Sequence, residues 1–383
     1  MTLTRERLMA AALPTTAIVA LVAVVAAASI SSAVAGTLGF DFLSYDLAVR
    51  RFFDGGVLYD QSFDYTGAFG LFYYPPPFVL FAAPLALLDP MLAAWIWTGA
   101  LVVAFAAGVA LMPVDRTTRW VVLLLGGISW PLVYAIKLGQ VGPILLVTFA
   151  IGWRWMDRPW RFGIAAAVGT AIKLQPALLF VWAVVTGRRR AVAAGLAVLA
   201  VLGVAATIIA GPSSWVDQAT LLARVSRPID TPHNMTPGRL AFEAGLGQGV
   251  AWAIQIANWV LVGAILIVAT LRCTPVASYL AVVIATQLVS PILWDHYALV
   301  LLLPVAWMIG RGRRWTILVP LATSIVLVGS IPSITYPLVY WIMLIAVVRE
   351  GWGGPVVDDS SGGGAAIPLR PQASPETDAM LVP

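Results

Sequence analysis

The sequence has little charge and few of the side chains that bind metals. Only 11% of its 383 residues are charged, whereas about 25% is usual in soluble domains. The single cysteine, Cys273, excludes an intramolecular disulfide and a cysteine-based metal cage. Since the chain has only two histidines, His233 and His296, we expect no zinc site and no other cofactor. A soluble domain of this length needs a charged surface that this composition does not supply.

Long apolar runs take the place of that charge. Hydrophobic residues make up 60% of the chain. Lipid offers no water to bond free backbone groups, so this composition predicts an all-α polytopic membrane protein. A helix needs about 20 residues to cross a bilayer, and the first run is longer than a signal-peptide core. About twelve transmembrane or partial helices are predicted, near 11–35, 73–88, 91–112, 119–136, 140–156, 161–186, 190–210, 249–271, 275–293, 296–310, 315–331 and 334–348.

The arginines predict how these helices are oriented. Arginine clusters lie in short loops, and loops rich in Lys and Arg are typically cytoplasmic, so the net charge of +5 indicates membrane orientation rather than nucleic-acid binding. We expect a multi-pass plasma-membrane protein with both termini in the cytoplasm. The loops 36–72 and 211–248 and the turn 290–297 then face outward. One loop, 154–161, carries three arginines, which disagrees with this orientation and leaves the parity of 119–186 open. The segments 119–136 and 161–186 are either single spans or broken or re-entrant segments, each with a lysine near its turn.

Two further expectations concern the ends of the chain. Residues 1–349 are expected to form one transmembrane domain. The segment 350–383 is rich in Gly, Pro, Ser and acids, a composition typical of disorder, and would be a cytoplasmic tail.

The first predicted outer loop contains a candidate catalytic base. Asp41 is the first acid after the first apolar run, so it is expected at the membrane boundary. There the low dielectric makes a carboxylate a stronger base than in water. The alternative is that Asp41 caps a short helix.

The same loop predicts an amphipathic helix that lies on the membrane. Tyr45, Val49, Phe52 and Phe53 form an apolar stripe at helical spacing, and two glycines at 55–56 can end the helix. Asp46 is expected to pair with an arginine one turn later.

Both lysines of the chain lie inside apolar runs, in the related hexapeptides AIKLGQ (135–140) and AIKLQP (171–176). A charge in the hydrocarbon region costs at least ~2.5 kcal/mol, so it is usually functional, although a lysine can also extend to the interface. Each lysine precedes a helix breaker, and freed backbone amides together with an ammonium suit a phosphate. Lys173 is the better candidate because Pro176 opens the helix beside it; Lys137 is the second.

The outer turn SPILWDHY (290–297) places Asp295 and His296 at the start of an apolar run. An imidazole can donate a proton to a departing phosphate oxygen or accept one from a hydroxyl. The alternative is an interfacial histidine among aromatic side chains. Further candidates for substrate contact are Tyr45, Asp46, Gln140, Gln175, His233, Asn234, Arg239 and Asp295.

The order of several short motifs resembles glycosyltransferase family 87, a family of membrane enzymes with the GT-C fold. The motifs are DFLSYDLA, GGVLYD, YYPPP, KLGQVGPILL, KLQPALLF, NMT and SPILWDHYALVLLLP, from about residue 36 to 305. The resemblance implies that Asp41 is the general base and that His296 lies near the donor phosphate. Lys137 and Lys173 fall in matching motifs.

The resemblance implies a function. It predicts an inverting transferase that moves mannose from a polyprenyl phosphate to a glycolipid acceptor, as in phosphatidylinositol mannoside synthesis. The expected partners are the lipid-linked donor, the glycolipid and membrane lipid, with no nucleic acid. A polyprenyl-phosphate-arabinose-dependent transferase and a lipid or small-molecule transporter are the alternatives; a transporter predicts inverted repeats, and the AIKL echo is a poor match to one.

Overall fold

The structure is a computed structural model that describes residues 2–327, 329–330 and 332–353; for residues 2–11 and 326 it describes the backbone only. The part of the predicted disordered tail from 354 to 383 lies outside these residues. The described residues form helices and turns and no strand, which confirms the all-α prediction. The helices are α1 (Thr2–Val34), α2 (Phe40–Phe53), α3 (Val79–Ala82), α4 (Pro90–Leu111), α5 (Arg116–Gly127), α6 (Trp130–Leu138), α7 (Gly142–Arg154), α8 (Pro159–Ile172), α9 (Leu178–Val185), α10 (Arg189–Ala210), α11 (Ser213–Val225), α12 (Pro237–Glu243), α13 (Gln248–Arg272), α14 (Pro275–Leu288), α15 (Leu302–Gly310), α16 (Leu318–Ala322) and α17 (Thr335–Glu350).

Four helices in the described part of the chain are long and apolar enough to cross a membrane: the Ala12–Val34 part of α1, α4, α10 and α13. The helices α5 and α6 meet at a bend of 59° and add a fifth crossing if they form one span. This bend agrees with the expectation that 119–136 is broken. The remaining predicted crossings are shorter helices or pieces of helix, so the count of about twelve stays a prediction.

Proline and small polar residues explain where several of these helices begin. Asp89 precedes α4, and its side chain accepts hydrogen bonds from the amides of Met91 and Leu92. Pro90 then occupies the first helical position, where its missing N–H costs nothing. By contrast, the predicted crossing 73–88 contains four prolines and folds as α3 between two short 3₁₀ turns, because proline cannot continue a helix.

The core is built by close helix contacts around α14. Every residue of α14 from Ala277 to Leu288 is buried, so this helix has no face toward lipid. Small residues let other pairs approach closely, as expected for helices in membranes. A Cβ on Gly163 of α8, for example, would lie 2.5 Å from the carbonyl oxygen of Ala191 in α10.

The two long polar loops contain helices. Residues 211–248 include α11 and α12, and 36–72 includes α2. The helix predicted in the first loop is present. Its apolar face was expected to lie on the membrane, but the buried side chains Phe42, Tyr45 and Val49 pack into the protein core. Phe53, predicted to belong to the apolar stripe, is exposed.

Two smaller predictions about α2 have different outcomes. The Nε atom of Arg50 lies 2.7 Å from the Asp46 carboxylate, which confirms the expected pair. The alternative that Asp41 caps the helix is wrong, because α2 begins after Gly39 and no side chain caps it.

Candidate active site

Two glycines join the first loop to the AIKLGQ motif. Gly39 and Gly139 both have positive φ angles, +69° and +73°, which glycine adopts at no steric cost. The Gly39 amide donates a 2.8 Å hydrogen bond to the Lys137 carbonyl. A Cβ on Gly139 would lie 2.7 Å from the Cβ of Phe42 and 3.3 Å from the Cα of Gly39. Because the backbones touch, the start of α2 is held against the end of α6.

This junction places Asp41 beside Gln140. The Gln140 amide Nε2 donates a hydrogen bond to Asp41 Oδ2. The Gln140 Oε1 atom accepts a 3.2 Å bond from the Tyr74 hydroxyl, which lies 2.8 Å from the Tyr45 hydroxyl. Asp41 thus ends a chain of hydrogen-bonding side chains from α2, the YYPPP segment and the AIKLGQ motif.

The surroundings of Asp41 make it a suitable proton acceptor. Burial raises the pKa of its carboxyl from 3.8 to about 6, although the Gln140 hydrogen bond and the positive charge of Lys173 act in the opposite direction. At neutral pH the group is therefore mostly ionised, and it is a stronger base than an aspartate in water.

Lys173 lies where α8 ends. Its backbone is extended, with φ −151° and ψ 139°, and the chain resumes helical turns at Gln175–Ala177. This confirms that the predicted segment 161–186 is broken beside Lys173. The Lys173 Nζ atom donates a 2.6 Å hydrogen bond to the Tyr297 hydroxyl. Its ammonium also interacts electrostatically with Asp41, so the structure brings these two predicted site residues together.

His296 lies in the next position before Tyr297, and its side chain is 2% exposed. Neither ring nitrogen has a hydrogen-bond partner among the described residues. The neighbouring Asp295 accepts a 2.6 Å hydrogen bond from the Trp130 indole, and its carboxylate lies 3.7 Å from His296 Nδ1. Burying an imidazole whose nitrogens make no hydrogen bond costs free energy, which favours a role in binding.

Lys173, Gln175, His296, Tyr297 and Gln140 line one cavity together with Gln287 and apolar side chains. Its volume is about 20 Å³, which is room for about one water molecule. A sugar therefore requires the surrounding side chains to move apart. Hydrogen-bond donors from the two lysine motifs and from the 290–297 turn therefore line the same cavity.

The other predicted site residues differ in their contacts. Lys137 is partly buried on α6, and its ammonium has no hydrogen bond or ion pair within the described chain. Gln175 donates a 2.9 Å hydrogen bond to Ser290. Asn234 is buried and joins its loop to Pro291 and Leu293, and Arg239 pairs with a glutamate one turn later.

His233 is exposed and has a positive φ of 55°. His233 does not line the cavity. The contacts of Asn234 and Arg239 stabilise their own loop and helix. The predicted site residues did not include Tyr74, Tyr297 or Trp130. Tyr297 directly follows His296 and Tyr74 lies in the YYPPP motif, so proximity to a predicted residue or motif was the available signal for these two tyrosines.

Among known protein families, the sequence model of glycosyltransferase family 87 matches residues 72–291, which is more than half of the chain. The chain belongs to glycosyltransferase family 87. The matched region contains both lysine motifs, Tyr74 and Gln140. Asp41 and His296 lie outside it, so the family match does not test their roles.

A curated relative gives a more specific comparison. The chain is 26% identical over 296 residues to a polyprenol-phosphate-mannose-dependent α-(1-2)-phosphatidylinositol mannoside mannosyltransferase of Mycobacterium tuberculosis. The alignment covers 70% of this chain and 69% of the relative. No solved structure matches the chain significantly. This family membership and the apolar helices identify the chain as a membrane glycosyltransferase.

Proposed function

We propose that this glycosyltransferase moves mannose from a polyprenyl phosphate to a glycolipid acceptor at the outer face of the plasma membrane. The relative from Mycobacterium tuberculosis is named for a polyprenol-phosphate-mannose donor and a phosphatidylinositol mannoside acceptor, which supports both substrate classes. The positive-inside rule supports the outer face and cytoplasmic termini.

The convergence of Asp41, Lys173 and His296 carries the proposal. Lys173 and His296 line one cavity with Gln140. Gln140 donates a hydrogen bond to the Asp41 carboxylate, which also interacts electrostatically with Lys173, although these residues come from distant parts of the chain. This is the arrangement that transfer from a lipid phosphate requires: one base for the acceptor and positive charge for the leaving group.

In the proposed reaction, an acceptor hydroxyl oxygen attacks the anomeric carbon with inversion. Asp41 takes the hydroxyl proton while the bond from the anomeric carbon to the phosphate oxygen breaks. The polyprenyl phosphate leaves with that bonding pair, and Lys173 and His296 stabilise its charge. Charge that is already aimed at the leaving group in a dry site lowers the barrier without reorganisation.

Lysine suits this role better than the arginine used elsewhere in the chain. Its ammonium is a compact charge on a flexible stem, whereas a guanidinium is a planar fork. Lys173 can therefore exchange its bond to Tyr297 for one to a phosphate oxygen and follow that oxygen as it departs.

Substitution of Asp41 tests the proposal. With membranes, polyprenyl-phosphomannose and a phosphatidylinositol mannoside, Asp41→Asn should remove at least ~99% of mannose transfer, since a general base contributes about 10²–10⁴-fold. The matched control is Asp54→Asn, because Asp54 is an exposed acid of the same loop. Near-normal transfer by the Asp41→Asn protein would refute the base assignment.

A panel of donors tests the sugar. We expect transfer from polyprenyl-phosphomannose and little from the arabinofuranose or glucose counterparts, measured as radiolabel in the glycolipid fraction. Preferential use of the arabinose donor would replace mannose in the proposal while retaining the reaction type.

A further inference from the structure

A directed hydrogen-bond chain leads to the candidate base. The Tyr45 and Tyr74 hydroxyls lie 2.8 Å apart, Tyr74 lies 3.2 Å from Gln140 Oε1, and Gln140 Nε2 contacts Asp41 Oδ2. Tyr45, Tyr74 and Gln140 are each 1% exposed, so solvent does not compete for these bonds.

The supply of protons fixes the direction of the chain. A carboxylate only accepts, so the amide must present its NH₂ group to Asp41 and its oxygen to Tyr74. Tyr74 has one hydroxyl proton and donates it to that oxygen; Tyr45 must then donate to Tyr74. If the amide were flipped, its oxygen would face the carboxylate and its NH₂ group would face the hydroxyl. The carboxylate therefore selects the amide orientation, and the Tyr74 hydroxyl supports that orientation by donating to Gln140 Oε1.

The backbone of Gln140 is fixed as well. Its amide donates a 2.8 Å bond to the Ala135 carbonyl, and the preceding Gly139 carbonyl accepts a 2.8 Å bond from the Trp97 indole. Gln140 and Tyr45, both predicted to contact substrate, thus have their polar groups committed within the protein. Asp41 Oδ1 has no hydrogen-bond partner in the described part of the chain, so it is the oxygen left to accept a proton.

We propose that Tyr74 and Gln140 are positioning residues that hold Asp41 with Oδ1 toward the acceptor hydroxyl, and that Tyr45 orients Tyr74. This inference rests on the proposed function, in which Asp41 is the base. Bonds in such a chain polarise one another, so each hydroxyl strengthens the contact at the carboxylate. The residues act on the orientation and basicity of Asp41. Although the Gln140 side chain lines the cavity, both of its polar atoms are bonded within the protein.

Graded substitutions test this inference in full-length protein in membranes. Gln140→Leu removes the donor at similar size, and the rate at saturating substrates should fall about 10–100-fold, the range expected for a misplaced catalytic group. Tyr74→Phe removes one hydroxyl and should lower the rate about tenfold, and Tyr45→Phe should lower it less. The KM values for donor and acceptor should change less than twofold in all three.

The pH profile separates positioning from general structural damage. The Gln140 bond lowers the pKa of Asp41, so its loss should move the acid limb of the rate profile to higher pH. Tyr74→Phe should give a smaller shift in the same direction. The matched control is Tyr279→Phe, which deletes a buried hydroxyl that donates a 2.7 Å bond to the Phe149 carbonyl and does not belong to the chain that ends at Asp41. It should leave the limb in place.

The outcomes distinguish this inference from the proposed function. If Asp41→Asn retains transfer, the base assignment fails and takes the inference with it. If Asp41→Asn is inactive but Gln140→Leu and Tyr74→Phe keep the normal rate, only the inference is overturned. The inference would also be overturned if the Gln140→Leu and Tyr74→Phe proteins were slower without a shift of the acid limb and the Tyr279→Phe protein lost as much activity. That pattern indicates a general structural effect.

Discussion

The hexapeptides AIKLGQ and AIKLQP share four residues, but the structure uses their lysines differently. In AIKLGQ, helix α6 continues past Lys137 to Leu138 and ends at Gly139. The motif contributes the Lys137 carbonyl, the Gly139 backbone and the Gln140 side chain to the junction with the first loop. In AIKLQP, helix α8 ends one residue before Lys173, whose ammonium then reaches Tyr297 in the cavity.

The difference shows that the residues after each lysine determine its use. A glycine two positions on lets the helix run past the lysine and turn in a left-handed conformation. A proline three positions on removes the donor that would continue the helix, and the Lys173–Tyr297 and Gln175–Ser290 hydrogen bonds also hold the chain open at the lysine. The same four residues therefore present a backbone surface in one place and a charged side chain in the other.

The largest expected effect tests this contrast directly. Lys173→Ala should reduce mannose transfer about 100-fold, because it removes the charge that we propose stabilises the leaving phosphate. Lys137→Ala should reduce it less than about threefold, since its ammonium does not line the cavity. Initial rates over a range of donor concentrations provide the measurement. Equal losses in the two proteins would contradict the division of roles.

The next effect concerns the glycine junction. Gly139→Ala introduces a Cβ 2.7 Å from that of Phe42 at a φ of +73°, so α2 must move away from α6. We expect a loss of about 1–2 kcal/mol in the free energy of unfolding, the cost of a left-handed non-glycine residue, and a lower transfer rate. Thermal unfolding in detergent measures the first quantity.

Gly99→Ala is the control for that substitution, because a Cβ at Gly99 in α4 has no neighbour within 4 Å. It should unfold at the normal temperature or slightly above. Identical unfolding of the Gly139→Ala and Gly99→Ala proteins would show that the junction is not tight.

A smaller effect distinguishes the two lysines by pH. Since the proposed reaction needs ionised Asp41, and the pKa of its carboxyl is about 6, transfer should fall about tenfold between pH 7 and pH 5. Lys173 lowers the pKa of Asp41, so Lys173→Ala should move this acid limb to higher pH, whereas Lys137→Ala should not. Rate profiles from pH 4.5 to 8 test both statements. If the acid limb of the Lys173→Ala protein stays in place, the electrostatic coupling between Lys173 and Asp41 is contradicted.

The smallest expected effect is that of Pro176→Ala, which tests what keeps the helix interrupted at Lys173. Pro176→Ala restores a backbone donor, but the Lys173–Tyr297 and Gln175–Ser290 hydrogen bonds remain. We therefore expect less than about a threefold loss of transfer and a small decrease in the unfolding temperature. A loss as large as that of Lys173→Ala would show that proline alone maintains the break.

The sequence predicted features that depend on neighbouring residues. The helix at 40–53, the pair of Asp46 with Arg50 and the break beside Lys173 each follow from spacing over a few positions. The prediction also identified Asp41 and Lys173 as site candidates, and the structure brings them together. Their catalytic and phosphate-binding roles stay predictions.

The features that escaped prediction join distant parts of the chain. The contact of Gly39 with Gly139, and the bonds from Lys173 to Tyr297 and from Trp130 to Asp295, leave no periodic pattern in a single sequence. Hydropathy also predicted one continuous helix over 73–88, where the structure has only α3 and two 3₁₀ turns. Hydropathy counts apolar residues and does not take account of the amide donors that proline lacks. Helices α11 and α12 were missed because the segment 211–248 is polar on average.

The contact between Asp41 and Gln140 has a consequence for biosynthesis. The two residues are 99 positions apart, and Lys173 and Tyr297 are separated by 124. The carboxylate can acquire its partner once residue 140 is synthesised, but the ammonium must wait for residue 297 of 383. A nascent or truncated polypeptide that ends between these positions therefore has Lys173 without its partner, and under the proposed roles it becomes active only late in membrane assembly.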